Sequence, residues 1–291
     1  MLTQQIINGI VLGGVYALIA LGYTMIYGVL FFINFAHGDV YMVGAFVGLW
    51  AATSGHFGLF GSIIAGMLTA AILGLIVERF AYRPLRKAPR LSPLLSALGV
   101  SMFLENLFIK IQGPQYRPFP NTVAAVHDIN IGSLSITTLQ LEILIISIAL
   151  MIILTIFVQK TRMGKAIRAT SENRIAASLM GVNTDQTIAL VFFIGSALAG
   201  AARVLVGVYF NAVFPLMGWN PGMKGFIAAV LGGIGSIPGA MVGGLILGIS
   251  EVLTVAYISP QWRDAVSFVI LLIILFWRPW GLFGIPDKTN V

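Results

Sequence analysis

The side chains that most often perform chemistry are few in this sequence and widely separated. Its three histidines, His37, His56 and His127, form no H-E-x-x-H motif, and the chain contains no cysteine. Disulfides and thiolate metal sites are thereby excluded, and no G-x-S-x-G motif offers a hydrolytic serine. We therefore expect no catalytic residue and no metal site in this chain.

Nucleotide binding is also unsupported by the glycine-containing segments. Residues 163–166 (MGKA) lack the leading glycine and the hydroxyl residue of a phosphate-binding loop. Residues 233–239 (GIGSIPG) have the wrong spacing for a dinucleotide fingerprint and lie between apolar segments. We therefore predict that this chain binds no nucleotide and no other cofactor.

Three carboxylates, Glu105, Glu142 and Glu251, fall within or near long apolar segments. An ionisable group at membrane depth is costly, so each is a candidate for proton coupling. Glu142 lies only a few residues into its segment and Glu251 lies in the outer half of its own, so both are expected to reach interfacial water. Only Glu105 is expected to be deep, with a local polar contact to Asn106, and proton coupling is the less favoured interpretation.

The elements that must position these residues are membrane helices. Of the 291 residues, 58% are hydrophobic and 9% are charged, whereas a soluble domain carries about 25% charged residues. We therefore expect an all-α, polytopic integral membrane protein, formed by residues 1–291 as a single domain and covered by a lipid bilayer. A helix needs about 20 apolar residues to cross a bilayer. The predicted spans are 6–27, 40–54, 61–80, 92–111, 139–159, 186–209, 239–258 and 264–279.

Two further apolar segments, 28–38 and 225–237, are too short to be ordinary spans. Irregular backbone at membrane depth is tolerated where protein or a water-filled cavity satisfies it, and discontinuous helices often mark a substrate path. Ordinary kinked helix ends are the alternative, and the whole chain would contain about eight to ten helical segments. The candidate residues for a translocation path in these segments are Asn34, His37, Gly233 and Gly235.

Two polar residues lie where the first short segment meets the next span. Asp39 is expected to cap the helix over 40–54, because a carboxylate is favourable at a helix N-terminus. His37 is either a pH-sensitive group or a buried residue with hydrogen-bond partners.

Lys and Arg residues determine the orientation. Ten of the seventeen lie within 79–90 and 160–174, whereas residues 112–138 contain only Arg117. The positive-inside rule therefore places the first two segments in the cytoplasm and the third outside. Two predicted helices separate the two basic segments, which agrees with that arrangement.

The net charge of +7 could indicate nucleic acid binding, but the basic residues flank apolar segments, as at the anionic inner face of a membrane. We therefore expect no nucleic-acid partner. Arg278 and Lys288 place the C-terminus inside. No Lys or Arg precedes the first span, so the side of the N-terminus is left open.

The cytoplasmic segment at about 160–185 is polar and basic within an otherwise lipid-soluble chain. Residues 164–180 are predicted to form one or two short amphipathic helices, ended by Gly181, and residues 183–185 are predicted to cap the next span. This segment could dock a soluble partner, or it could be a solvated loop that only sets topology. The candidate apolar edge consists of Ile167, Ala176, Leu179 and Met180.

Arg203 shares a helix face with Gly195, Ala199 and Gly207. At 1.5 Å per residue from Asp185, it lies about 27 Å along its helix. We therefore expect its head to reach water at the outer interface. The alternatives are a position facing an outer vestibule and a substitution that weakens close helix packing.

Residues 172–181 (ENRIAASLMG) resemble the coupling loop of ABC importer permeases, in the E-x-x-x-A-A-x-x-x-G form of the branched-chain amino-acid permeases. The resemblance runs from about residue 5 to residue 285 and is closest to the LivH-type subunit, which has a small residue where this chain has Arg203. Other matching segments are 16–25, 33–42 (INFAHGDVYM), 78–84 and 228–240. The ATPase-coupling residues that the resemblance implies are Glu172, Ala176, Ala177 and Gly181.

The resemblance implies a multi-pass permease subunit of the bacterial inner membrane that moves leucine, isoleucine or valine. It also implies a second, related permease subunit as the heterodimer partner, two cytoplasmic ATPase subunits that use the ATP, and a periplasmic substrate-binding protein. Urea or short amides could pass through the same architecture. An ATP-independent channel or ion-coupled carrier would need no ATPase, and a non-transport scaffold agrees least with the broken segments.

Overall fold

The computed structural model describes residues 1–284 apart from 87, 90, 121–122, 124–126 and 132–133. Lys87, Arg90 and Lys288, which contribute to the predicted orientation, lie outside the described residues. The described part contains eleven α-helices and one two-stranded β-hairpin. The predicted all-α, polytopic fold is confirmed, and the small hairpin is an addition to it.

The helices follow one another from the N-terminus in a bundle. They are α1 (Leu2–Leu30), α2 (His37–Ser54), α3 (Leu59–Val77), α4 (Leu91–Gln112), α5 (Thr138–Lys160), α6 (Arg162–Glu172), α7 (Arg174–Leu179), α8 (Thr184–Tyr209), α9 (Trp219–Gly232), α10 (Ile237–Tyr257) and α11 (Arg263–Trp277). Strand β1 (Asp128–Ile131) pairs antiparallel with β2 (Leu134–Thr137) between α4 and α5.

Among the residues that the structure describes, seven helical segments are long and apolar enough to cross a membrane, and they contain α1, α3, α4, α5, α8, α10 and α11. They correspond to seven of the eight predicted spans. The eighth, 40–54, lies in α2, whose mean hydropathy is lowered by the polar residues His37 and Asp39 in its first turn. Large apolar side chains on α4, α5 and α11 are exposed, as expected for helices that face lipid or another membrane subunit.

Helix α1 lies at the centre of the bundle and packs closely on α10. A Cβ atom built at Gly13 would lie 2.8 Å from the Cα atom of Leu245, and one at Gly9 would lie 2.7 Å from the Cα atom of Ile249. Neither position has room for a side chain, so glycine permits the close helix contact typical of membrane bundles.

The N-terminus lies on the outer side. The side-chain Nε2 of Gln4 donates to the carbonyl oxygen of Ser135 at 2.8 Å, and the Ser135 N–H donates to Gln4 Oε1 at 3.0 Å. Ser135 belongs to the hairpin in the segment that the positive-inside rule places outside. Helix α1 therefore runs inward, which answers the question that the sequence left open.

The short segment 28–38 is divided between two helices. Helix α1 continues to Leu30, residues 31–36 are non-helical, and α2 begins at His37. Helix α2 ends at Ser54, and α3 begins a few residues later at Leu59. The Leu59 N–H donates at 3.1 Å to the carbonyl oxygen of Val123, which lies within the predicted external residues 112–138, so this end of α2 is the outer one. Residues 31–54 therefore return the chain to the outer side, with their irregular stretch on the cytoplasmic side of α2.

The second short segment contains a genuine interruption. Helix α9 ends at Gly232 after 14 residues and α10 begins at Ile237. Gly233 has φ +105° in the connection, in the left-handed half of φ space that side chains rarely permit. The start of α9 touches the start of α2, because a Cβ atom built at Gly222 would lie 3.3 Å from the Cα atom of Gly38. Two interrupted helices therefore meet by their N-terminal ends inside the protein.

Candidate translocation cavity and cytoplasmic docking surface

A cavity of about 350 Å³ lies between α1, α2, α8, α9 and the outer segment 210–217. Its size is within the range of about 300–1,000 Å³ that small-molecule sites occupy. The lining includes Tyr16, Tyr41, Arg203, Phe214, Asn220 and Lys224. We call this space the outer cavity.

The outer wall of this cavity is held by main-chain pairing. The Arg117 N–H donates to the carbonyl oxygen of Val213 at 2.8 Å, and the Val213 N–H donates to that of Arg117 at 2.9 Å. The side-chain oxygen of Asn211 also accepts from the Phe119 N–H at 2.8 Å. These bonds fix segment 210–217 over the outer end of α8.

Arg203 does not reach water at the interface, and that expectation is wrong. Its side chain is 4% exposed, because the outer segment folds back over it, and it lines the outer cavity. Its Nη1 donates to the Tyr41 hydroxyl at 3.2 Å, and its Nε lies 3.2 Å from the Met217 sulfur. The alternative position, facing an outer vestibule, is the one found.

Four charged residues form a network beside the outer cavity. Lys224 Nζ on α9 lies 2.8 Å from Glu251 Oε1 on α10 and 2.9 Å from Asp264 Oδ1 on α11, and Arg263 also pairs with Glu251. Lys224 and Glu251 are both buried. The expectation that Glu251 reaches interfacial water is therefore wrong, because the Lys224 and Arg263 side chains cover it.

Glu105 is not enclosed by the bundle, and its depth in the membrane stays a prediction. It is only half-buried on α4, and the Asn106 side chain beside it donates to the carbonyl oxygen of Met102 at 2.7 Å. Helix α4 lies at the periphery of the bundle, where its side chains are largely exposed. Of the three carboxylates Glu105, Glu142 and Glu251, Glu251 is thus the buried one.

The polar residues at the start of α2 lack the partners expected of them. His37 is fully buried with its ring centre 4.6 Å from that of Tyr23, and neither ring nitrogen has a hydrogen-bond partner among the described residues. Asp39 lies in the first turn but makes no capping hydrogen bond, and the N-cap residue is Ala36. The helix begins three residues earlier than predicted, which moves Asp39 inside it.

The four candidate path residues lie in the two chain interruptions. Asn34 Oδ1 accepts a 2.5 Å hydrogen bond from the buried Tyr82 hydroxyl, and His37 opens α2. Gly233 and Gly235 form the connection between α9 and α10. Whether these residues contact a substrate stays a prediction.

The two interruptions adjoin on the inner side of the bundle. A Cβ atom built at Gly28 would lie 3.5 Å from the Cα atom of Gly235. Only about 10 Å³ of space remains between them, which is no more than about one water molecule needs. This gap is lined by Tyr23, Tyr27, Ile33, Phe226, Ala229 and Ile234. In this conformation the inner gap is closed while the outer cavity is open.

The cytoplasmic segment forms the two short helices predicted for it. Asn173 separates them, and its side-chain oxygen accepts from the Ala176 N–H at 2.9 Å to start α7. Gly181, with φ +85°, ends α7 as predicted, and the Val182 N–H donates to the carbonyl oxygen of Ala177 at 3.0 Å.

Helix α7 presents apolar side chains to the cytoplasm. Ile175, Leu179 and Met180 are 75%, 83% and 85% exposed. Of the predicted coupling residues, Glu172, Ala176 and Gly181 are exposed and Ala177 is buried beneath them. Ile167, expected on the same edge, is buried instead because it faces the bundle. We call Ile175, Leu179 and Met180 the docking patch, since an exposed apolar group of this kind marks an interaction site.

Charged residues fasten this surface to the bundle. Arg174 Nε donates to the carbonyl oxygen of Val29 in the last turn of α1 at 2.9 Å. Burial, and then the positive charge of Arg86, lowers the pKa of Arg174 from its ordinary value. Arg86 pairs with Glu78 beyond α3 and donates to Asp185 Oδ1 in the first turn of α8 at 2.6 Å. At the cytoplasmic face, the end of α1 is thus connected to the start of α7, and the end of α3 is connected to the start of α8.

Cation ligands do not converge in the described part of the chain. No group of three or more His, Cys, Asp or Glu residues lies there in a position to hold a metal ion. The described residues therefore offer an outer cavity with a polar and apolar lining and, on the opposite side of the membrane, a group of exposed apolar side chains.

Comparison with known proteins identifies close relatives. The family model described as branched-chain amino acid transport system / permease component matches residues 5–275. The chain is 45% identical over 300 residues to the high-affinity branched-chain amino acid transport system permease protein LivH of Escherichia coli, covering 99% of this chain and 97% of that protein. It is 40% identical over 299 residues to the corresponding permease protein BraD of Pseudomonas aeruginosa, with the same coverage.

Proposed function

The chain belongs to the permease component family of branched-chain amino acid transport systems, and from this premise we propose that it is the membrane subunit of an ATP-driven importer for leucine, isoleucine and valine. It spans the bacterial inner membrane, provides a substrate path and hydrolyses no ATP. The energy comes from two cytoplasmic ATPase subunits. A second, related permease subunit completes the pore, and a periplasmic binding protein delivers the amino acid.

The docking patch on α7 is the observation that carries this proposal. Ile175, Leu179 and Met180 are more than 70% exposed on the cytoplasmic side, where a soluble ATPase is available to cover them. Apolar side chains with this degree of exposure are typical of a surface that a partner protein buries. Glu172 and Gly181 flank the patch, and Gly181 ends its helix.

The contacts of α7 supply a mechanical link to the path. Closure of the ATPase pair moves α7, and Arg174 transmits that movement to Val29 in the last turn of α1. Residues 31–36 follow directly and lead to His37. Movement there closes the inner gap while the outer cavity opens, which converts an inward-facing cavity to an outward-facing one, as in the alternating access that interrupted helices support.

The cavity lining favours aliphatic amino acids over urea or short amides. Leu12, Val206, Phe214, Leu216 and Met217 form much of its wall, and such a wall suits a branched hydrocarbon side chain. Urea has no apolar surface to bury against these residues, so the contacts available to it are fewer.

Uptake by the reconstituted importer tests this assignment. Proteoliposomes that hold both permease subunits and the ATPases, with binding protein outside, are expected to accumulate leucine, isoleucine and valine when ATP is inside. Accumulation of urea but not of these amino acids would replace the substrate assignment and leave the architecture standing. Uptake independent of the ATPase subunits would overturn the importer assignment itself.

A further inference from the structure

The outer cavity carries one positive charge that no acidic residue in the described part of the chain balances. Lys224, Arg203 and Arg263 all line it. Lys224 and Arg263 are matched by two carboxylates, since Lys224 pairs with Glu251 and Asp264 and Arg263 pairs with Glu251. Arg203 makes no ion pair within the described part of the chain.

The contacts of Arg203 are all with neutral groups. Its Nη1 donates to the Tyr41 hydroxyl at 3.2 Å, its Cζ lies 4.9 Å from the centre of the Tyr41 ring, and its Nε lies 3.2 Å from the Met217 sulfur. Its Nη2 donates to none of the residues that the structure describes. These contacts hold the guanidinium in place against the cavity and leave one end of it free.

A buried cation without a counter-charge is unfavourable unless an anion can reach it. Arg203 is 4% exposed, so bulk solvent contributes little to its stabilisation. The free end of the guanidinium therefore has the chemistry of an anion site, and a carboxylate fits a guanidinium through paired hydrogen bonds.

The remainder of the cavity limits the size and polarity of that anion. Its wall also contains aliphatic and aromatic side chains, among them Leu12, Val206, Phe214 and Leu216. At about 350 Å³ the space suits a small molecule with a hydrocarbon part. The ligand class is thus a small aliphatic carboxylate.

We propose that Arg203 is a carboxylate-binding residue of the outer cavity, which receives the carboxylate of a small aliphatic substrate through the guanidinium Nη2 while the hydrocarbon part packs on the apolar wall. The identification of this substrate as the transported amino acid rests on the proposed function. Carboxylate binding at the site is independent of that function, because it is inferred from the charge balance and the lining of the cavity.

The absence of cysteine from the chain allows a direct measurement of the charge. Ala212→Cys places one thiol in the cavity lining, in the complete complex in membrane vesicles. We expect an anionic methanethiosulfonate reagent to modify it faster than a cationic one, and Arg203→Gln to reduce the ratio of the two rates about tenfold. Arg203→Lys should retain the preference.

A matched control is Arg117→Gln, which removes an outer-side arginine whose side chain donates to the carbonyl oxygen of Gln112 and does not line the cavity. It should leave the ratio unchanged. An equal ratio in Arg203→Gln and in the parent would overturn the proposal, because the cavity would then carry no field from Arg203.

Protection of the same thiol identifies the ligand class. Leucine and 4-methylpentanoate, which both carry a carboxylate, should slow modification of Ala212→Cys, whereas isoamylamine, which has the hydrocarbon part and an amine, should not. Protection should disappear in Arg203→Gln. Equal protection by isoamylamine, or protection that persists in Arg203→Gln, contradicts the assignment.

Transport separates this proposal from the proposed function. In proteoliposomes of the full importer, Arg203→Gln should lower leucine uptake about tenfold while ATP hydrolysis stimulated by the binding protein persists. Leucine uptake at the parent rate in Arg203→Gln would overturn the role of Arg203 and leave the function intact. A parent importer that moves no leucine would overturn the function, while the carboxylate site would still be decided by the thiol measurements.

Discussion

Arg174 on the cytoplasmic helix α7 donates from Nε to the carbonyl oxygen of Val29 at 2.9 Å. Val29 lies in the last turn of α1, where the carbonyl groups of a helix lack partners within the helix. A positive side chain is favourable there, because the carbonyl ends of the helix carry partial negative charge. This one contact connects the docking patch to the helix that leads into the first chain interruption.

Removal of the Arg174 side chain should uncouple ATP hydrolysis from transport. We expect Arg174→Ala to reduce leucine uptake about tenfold while the ATPase subunits still bind, because the docking patch is intact and only its link to α1 is lost. Uptake and hydrolysis measured in the same proteoliposomes give the coupling ratio. Arg162→Ala, which removes an exposed arginine on α6, is the control, and an unchanged ratio in Arg174→Ala would refute the link.

A single cysteine in the docking patch should be shielded by the ATPase. Leu179→Cys gives the chain one thiol at a position that is 83% exposed. In detergent solution, addition of the ATPase subunits is expected to slow its modification strongly, since the partner buries α7. Tyr116→Cys, at an exposed position within the external residues 112–138, should react at the same rate with and without the ATPase subunits. Equal reactivity of Leu179→Cys in both samples would exclude the patch as the docking surface.

The conformation of Gly181 predicts an asymmetric response to substitution. Its φ is +85° and no atom would lie within 4 Å of an added Cβ, so any cost arises from the backbone alone. A β-branched residue there should cost about 1–2 kcal/mol, whereas asparagine tolerates this conformation better. Gly181→Val should therefore lower the thermal midpoint and the uptake more than Gly181→Asn does. Equal effects of the two variants would show that the backbone conformation is not the cause.

Lys224 and Glu251 should behave as a coupled pair in stability. Loss of one partner of a buried ion pair typically costs about 3–5 kcal/mol, because the other charge is left unbalanced. Glu251→Leu should be strongly destabilising, and the double variant Lys224→Met, Glu251→Leu should be less destabilised than the sum of its single variants. Unfolding of the four proteins in a double-mutant cycle measures this difference. Additive effects would mean that the 2.8 Å contact contributes no coupling energy.

Local patterns in the sequence were sufficient to predict the cytoplasmic surface. Gly181 ends α7 and Asn183 caps α8, where its side-chain oxygen accepts from the Gln186 N–H at 3.1 Å. Such turns and caps depend on residues within about one helical turn of each other. The seven long apolar helices follow from composition for the same reason, since each meets its length requirement independently.

The outer cavity depends on contacts between distant parts of the chain, and its polar residues were misplaced for that reason. Distance along a helix put Arg203 near water, but that estimate contains no information on segment 210–217, which covers it. The sequence predicts an interfacial Glu251, because local patterns do not identify its partner Lys224, which is 27 positions away in sequence and on another helix. One signal in the sequence could have indicated this ion pair: Lys224 adjoins a short apolar segment, and Glu251 lies in the apolar helix that follows it.

The most direct test of the account is ATP-driven leucine accumulation by proteoliposomes that contain the complete importer, with Glu172→Arg, Gly181→Val as the paired variant. Accumulation is expected in the parent only when ATP and the ATPase subunits are both present, and little accumulation is expected in the variant at an equal amount of inserted permease. Normal ATP-coupled uptake by the variant, or leucine uptake by vesicles that hold this chain alone, would contradict it.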